Sequence, residues 1–284
     1  MWSQLEIEDP VEVDSLVNML KMAFSFDNWT KVLSLSKNLH ILASQIHNEH
    51  IQHELFGTPI SKKKMNRSIV FYFGYSYLMK GVAHQKLKQY PEAMKCVNYY
   101  SDLSWINDSS EIGLKTVNDF KLYAKANSLT LELLNGNIDF LAEYIHLLKT
   151  NQQETLPGLL TLLESALNNN FNIDNELNLF LDHIKVDGLY EDRISSIYYI
   201  HLIQMLAIYE FKNDRYIEAI DYALQLLTYS DHVGDDSTFK KSIALFESFR
   251  PYASRAQLDG YMTILANIFK LTNEYEESIH LTLK

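Results

Sequence analysis

A single cysteine, Cys96, stands in 284 residues, so no disulfide within the chain can hold it together. Its neighbours read as the buried face of a helix, which makes a small, inert core residue the expectation. Glycine (9) and proline (5) are both scarce. Sheets need frequent turn residues, so their scarcity favours long helices joined by short polar loops. Basic charge is short as well. A formal net charge of −11 repels phosphate backbones and argues against nucleic-acid binding by this chain on its own. The one basic run, Lys62, Lys63 and Lys64 with Arg67, reads as a solvated connector. No window approaches the ~18 uninterrupted apolar residues that cross a bilayer, and the acidic N-terminus lacks the pattern of a signal peptide. A cytoplasmic location with no membrane partner is therefore expected. Catalytic motifs are missing too: no GxxxxGK[ST] or GxGxxG loop, no GxSxG elbow, no HExxH, and no partner that would make Cys96 a nucleophile. No enzyme activity and no cofactor are expected.

What the chain has is apolar periodicity. Hydrophobic residues make up 47% of it, ample for a packed core. Val13, Leu16, Val17, Leu20, Ala23 and Phe24 recur at helical spacing, and so do Leu202, Met205, Leu206 and Tyr209. Polar breaks fall at 25–28, 57–59, 88–91, 107–110, 135–137, 168–172, 187–188, 212–215, 233–237, 250–251 and 272–273. One local pattern repeats across these breaks. A small residue is followed nine positions later by an aromatic, then an acidic and a small one. It runs Gly81 to Tyr90-Pro91-Glu92-Ala93, Ala207 to Tyr216-Ile217-Glu218-Ala219, and Ala266 to Tyr275-Glu276-Glu277-Ser278. Looser copies pair Leu20 with Trp29 and Leu129 with Ile138. The physical meaning is a helical hairpin. The small residue lets two helices approach, the aromatic opens the second helix and plugs the gap, and Pro91 suits a first turn.

Gly81, His84, Tyr90, Ala93 and Val97 resemble the tetratricopeptide pattern, as do Ala207, Tyr216, Ala219 and Ala223, and Ala266, Phe269, Tyr275 and Ser278. The anchors Leu20, Gly81, Leu129, Ala207 and Ala266 lie 61, 48, 78 and 59 residues apart, against a tetratricopeptide period of about 34. Extra helices must intervene, with 156–169, 174–185 and 237–250 the candidates. The last either opens a hairpin with 254–270 or stands alone. The resemblance implies an all-α fold, a divergent tetratricopeptide-like hairpin array forming a right-handed α-solenoid. It spans 1–284 as a single domain, with two lobes, 1–150 and 151–284, an open alternative. The segments 73–81, 100–105 and 120–127 resemble the C-terminal sensor region of Gram-positive helix-turn-helix regulators, of the Rap, PlcR and NprR kind. No helix-turn-helix head is visible in this chain, and Glu6 to Pro10 would suit a linker.

Three histidines, His47, His50 and His53, follow at successive i+3 steps. Such a set spirals around a helix, so a polar face is expected rather than a metal site. His40 and His84 read as packing or surface residues. In a tetratricopeptide array the first helix of each hairpin lines the concave face. The family's ligand-facing positions map to Asp14, Val17, Lys21 and Phe24, then Tyr75, Leu78, Val82 and Gln85. The third unit gives Tyr123, Ala126, Thr130 and Leu133. The fourth gives His201, Gln204, Ile208 and Phe211, and the last gives Gly260, Thr263, Asn267 and Lys270. Lys21, Tyr75, Gln85, Tyr123, Thr130, His201, Gln204 and Asn267 are the candidate ligand-binding residues, aromatic and amide groups suited to an extended peptide. The resemblance implies a ligand-sensing, dimerising domain of a transcriptional regulator that takes a short signalling peptide and reaches DNA only through an attached head. A protein–protein adaptor without a small ligand is the alternative.

Overall fold

The computed structural model describes residues 13–57, 65–181, 184 and 193–267, with the backbone alone at 193 and 194. The linker at 6–10, the basic run at 62–64, the break at 187–188 and the repeat at 275–278 lie outside the described residues. The described chain is all helical, without a strand. The helices are α1 (Val13–Ser25), α2 (Trp29–Phe56), α3 (Ile69–Lys86), α4 (Tyr90–Tyr100), α5 (Glu111–Leu134), α6 (Leu141–Thr150), α7 (Thr155–Asn169), α8 (Asp174–Leu181), α9 (Arg193–Lys212), α10 (Tyr216–His232), α11 (Asp236–Phe249) and α12, over 255–267. None is long and apolar enough to cross a membrane. The segments expected at 156–169, 174–185 and 237–250 appear as α7, α8 and α11. A break that sequence reading passed over falls at Asn151, where the side-chain amide donates to the Leu147 carbonyl at 2.9 Å and ends α6.

The chain divides into two compact units, 1–144 and 145–284. In the first, α1 to α5 each pack on the next helix, and α3 also meets α5. One core joins them, from Val13, Leu20 and Val32 through Leu39, Val70 and Ala83 to Tyr100, Phe120 and Leu131. In the second, α9 packs on α7 and α10, and α10 on α11. Ala207, Ala219, Ile220, Ala223, Leu227 and Phe246 form its core with Tyr261. Phe246 lies flat on Tyr261, ring centroids 3.9 Å apart, so α11 and α12 pair across the Arg250–Tyr252 turn.

Six of the turns share one backbone geometry. Asp27, Lys88, Gly136, Asn170, Asp214 and Gly234 all have positive φ, between 52° and 93°. The next N–H reaches back five residues: Asn28 to Ala23, Gln89 to His84, Asn137 to Glu132, Phe171 to Ala166, Arg215 to Glu210, Asp235 to Ser230, all at 2.8–3.1 Å. This is a left-handed cap that satisfies the last helical carbonyls. A buried residue lies seven positions before each: Leu20, Gly81, Leu129, Leu163, Ala207 and Leu227. Four of the six are the anchors read from the sequence. Gly81 fits its role closely: a Cβ there would lie 3.2 Å from the Cβ of Cys96 on α4. Ile138 does not plug its turn. It sits in a single 3-10 turn, Ile138–Phe140, and is exposed.

Each unit carries a tyrosine–aspartate clasp between distant segments. In the first, the buried Tyr72 donates its hydroxyl to Asp14 at 2.9 Å and accepts the Arg67 N–H at 3.2 Å, while Asn66 N–H donates to the other Asp14 oxygen at 3.0 Å. Burial, then the bond to Asp14, pushes the Tyr72 phenol up to about 12. In the second, the buried Tyr209 donates to Asp174 at 2.9 Å and accepts the Ile173 N–H at 3.0 Å. There Arg215 adds two bonds to the same carboxylate, at 2.9 and 3.1 Å, and a third to Glu210.

Candidate functional site

The first unit contains the candidate site. Helix α3 is capped by Ser68, whose hydroxyl accepts the Phe71 N–H at 3.3 Å. Its buried positions, Ile69, Val70, Tyr72, Phe73, Gly74, Ser76, Met79, Gly81 and Ala83, leave a half-buried stripe of Phe71, Tyr75, Leu78, Val82 and Gln85. The spacing of four, three, four and three places all five on one face. Helix α5 crosses beside the start of this stripe. It comes so close that a Cβ on Gly74 would meet the Phe120 ring.

Two residues predicted from separate repeats therefore fall on one aromatic ribbon. Tyr75 stacks on Phe71 at 5.1 Å and 16°. Phe71 lies 6.5 Å from Phe120, and Phe120 meets Tyr123 edge to face at 5.8 Å. Burial pushes the Tyr75 phenol up, and the Arg67 charge pulls against it. The Tyr123 ring is 50% exposed and closes the ribbon on the α5 side. The Arg67 guanidinium lies over the Phe71 ring, 4.2 Å from the centroid. Sequence reading missed Phe71, Phe120 and Arg67. The i, i+4 pair Phe71/Tyr75 and the i, i+3 pair Phe120/Tyr123 were the available signal.

The remaining predicted residues are placed as follows. Gln85 ends the α3 stripe, and Thr130, half-buried, lies two turns beyond Tyr123 on α5. Lys21 is exposed on α1. In the second unit His201 is exposed and Gln204 half-buried on α9, and Asn267 is exposed at the described end of α12. Three further mapped positions are structural: Val17 and Leu133 are core residues, and Asp14 is held in the Tyr72 clasp. Phe211 stacks on Phe249 at 4.1 Å.

The opposite side of α3 carries a second aromatic group. His40 of α2 meets Phe73 and Tyr77 at 5.5 and 4.9 Å, His47 meets Phe73 and Trp105 at 5.8 Å each, and Tyr77 stacks on Tyr99 at 4.4 Å. Burial, aided by Lys80, holds His40 below its ordinary value, and burial with His50 does the same for His47. Both imidazoles are thus used as packing rings. No group of three His, Cys, Asp or Glu among the described residues is arranged to hold a metal. Cys96 is buried, and its thiol is pushed up by that burial.

No family model, curated protein or solved structure matches this chain.

Proposed function

We propose that this chain is a tetratricopeptide-like binding module that takes an extended peptide along the α3–α5 face of its first unit. The observation that carries the reading is the ribbon Phe71, Tyr75, Phe120 and Tyr123, in which residues predicted from two separate repeats meet. Aromatic rings on rigid helices give large contact area at little entropic cost. Phe71 to Gln85 is fourteen helical steps, about 21 Å of helix, which matches about six residues of extended chain. The resemblance to regulator sensors makes a short signalling peptide the ligand class, with dimerisation and an attached DNA-binding head as further parts of the same proposal. The test is a screen of the purified chain against an arrayed library of six- to eight-residue peptides. Saturable binding that Tyr75→Ala and Tyr123→Ala each weaken at least tenfold, at unchanged melting temperature, supports it. Absence of any binder defeats it.

A second reading, a protein–protein adaptor, draws on helix α1 and the turn after it, which expose Met19 and Met22, three residues apart on the helix, and then Phe26. Unshared apolar side chains at helical spacing favour a helical partner. Co-purification of a stable partner lost on Met22→Glu, with peptide binding unaffected, would favour it.

A further inference from the structure

We infer that the seam between α2 and α3 is a pH-sensitive latch, held shut by the neutral imidazoles of His40 and His47 and loosened when they take up protons. The latch stands whether or not the ribbon on the other side of α3 binds a peptide.

The geometry suits a neutral ring and not a charged one. His40 and His47 are two turns apart on α2 and so share one face. Both touch Phe73, at 5.5 and 5.8 Å, and His47 also meets Trp105, which itself contacts Phe73 at 5.3 Å. His40 meets Tyr77 at 4.9 Å, and Tyr77 stacks on Tyr99 of α4. The two imidazoles thus tie α2 into a run of rings that reaches α3, α4 and the Ser104–Ile106 turn. Nδ1 of His40 is buried without a hydrogen-bond partner, and the buried Ser36 Oγ, one turn earlier, is likewise unbonded. A neutral imidazole can leave one nitrogen bare, whereas an imidazolium carries an N–H on both. Protonation therefore places a charged donor where nothing accepts it, which costs far more than a bare nitrogen.

The surroundings do not offset that cost at His40. The charge acting on it is the Lys80 cation on α3, and its ring neighbours Phe73 and Tyr77 carry no charge. On α4, Glu92 is paired with Lys95 at 2.7 Å. On α1, Asp14 is held in the Tyr72 clasp and Lys21 is exposed. His47 has His50 working against its charged form and Glu54 for it, both on α2. Asp102, before the Trp105 turn, accepts the Ser104 N–H at 3.0 Å. Burial leads in holding both imidazoles below their ordinary value. Groups depressed in this way stabilise the seam fully above the unfolded value, about 6.5, and lose that contribution as pH falls through the folded values.

The test is urea denaturation of the full chain at about pH 7.5 and about pH 5.5, with hydrogen exchange followed segment by segment at the same two values. The unaltered chain should unfold at lower urea at the acid value. After correction for the intrinsic pH dependence of exchange, amides of 40–47 and 69–80 should open at least threefold more often there, and those of α9 to α11 should change less. His40→Phe and His47→Phe keep a ring that cannot take a proton. Each should flatten part of the fall, and the double variant most of it. Equal midpoints at both values, or a fall that the double variant keeps, overturn the latch. So does greater stability at the acid value, which would mean that Phe73 and Tyr77 hold an imidazolium by cation–π attraction. Where a phenylalanine variant fails to fold, histidine titration by NMR on the unaltered chain decides. Two or more imidazoles titrating below about 6.5 support the latch, and fewer overturn it.

Discussion

The two units use the same device under different electrostatics. In each, a fully buried tyrosine on a long helix, Tyr72 or Tyr209, donates to an aspartate in the first turn of an earlier helix and accepts a backbone N–H from a connector. In the first unit the other donor to the aspartate is a neutral backbone N–H from Asn66. In the second the Asn172 amide donates at 3.2 Å, and so does a guanidinium that also holds Glu210 and lies 5.5 Å from the Tyr209 ring. The neutral clasp fixes a connector whose next side chain, Arg67, lies over Phe71. In the ionic clasp the arginine is already committed. In one unit the connector's cation lies over an aromatic ring, and in the other the arginine holds two carboxylates.

The comparison breaks most sharply at Tyr72. Tyr72→Phe removes a hydroxyl that serves Asp14 and the Arg67 N–H at once, leaving two groups unpaired in a partly buried place. A loss of about 1–3 kcal/mol is expected, read by chemical denaturation. Tyr209→Phe should cost less, because Arg215 continues to hold Asp174. Next in size is Arg215→Met. Its pairs with Asp174 are about a third exposed, so about 1–2 kcal/mol is expected after allowing for screening. Unlike the Tyr72 loss, this one should shrink in 1 M salt.

Acid sharpens the same contrast. Burial pushes Asp174 up, but the bonds from Tyr209 and Arg215 outweigh it and hold the carboxyl below its usual range. A carboxyl depressed in the folded state stabilises fully above its unfolded value, about 3.9, and loses that contribution as pH falls through the folded value. Unfolding followed from pH 5 down to pH 2 should therefore steepen below about pH 4, and Arg215→Met should flatten part of that fall. A profile the variant leaves unchanged would remove the ionic clasp as its source.

How far these arrangements could be read from sequence differs by level. The helices followed from apolar spacing, because each needs only its own residues to reveal a buried face. Four of the six left-handed caps were found through their buried anchors and the residue that follows. Those at Asn170 and Gly234 were read only as polar breaks and not as repeats, since Asn172 and Asp236 stand where the pattern expects an aromatic. On the aromatic ribbon, Tyr75 and Tyr123 were named from the sequence by register within a repeat. Phe120 and Arg67 were not, since nothing local says that α5 crosses α3 at Gly74 or that a residue in a basic run turns onto Phe71. The clasps were illegible for the same reason: Asp14 and Tyr72 are 58 residues apart.

The smallest effect lies in two turns with nearly identical backbones, Lys88 at φ 59° and Asp214 at φ 60°. Left-handed backbone costs an ordinary side chain about 1–2 kcal/mol, and aspartate bears it better through local hydrogen bonds. Asp214 has such a bond, accepting the Tyr216 hydroxyl at 2.6 Å, and so ties its turn to the aromatic that opens α10. Lys88 has no comparable side-chain bond, and in its turn the side-chain contact is made by His84 and Gln89 at 2.7 Å. Lys88→Gly should therefore raise stability by about 0.5–1 kcal/mol, the relief of strain exceeding the entropy that glycine adds to the unfolded chain. Asp214→Gly gains the same relief but gives up the tyrosine bond, so its melting temperature should stay level or fall. If both variants gained equally, the Tyr216 bond would contribute nothing, and the two turns would be equivalent despite their different residues.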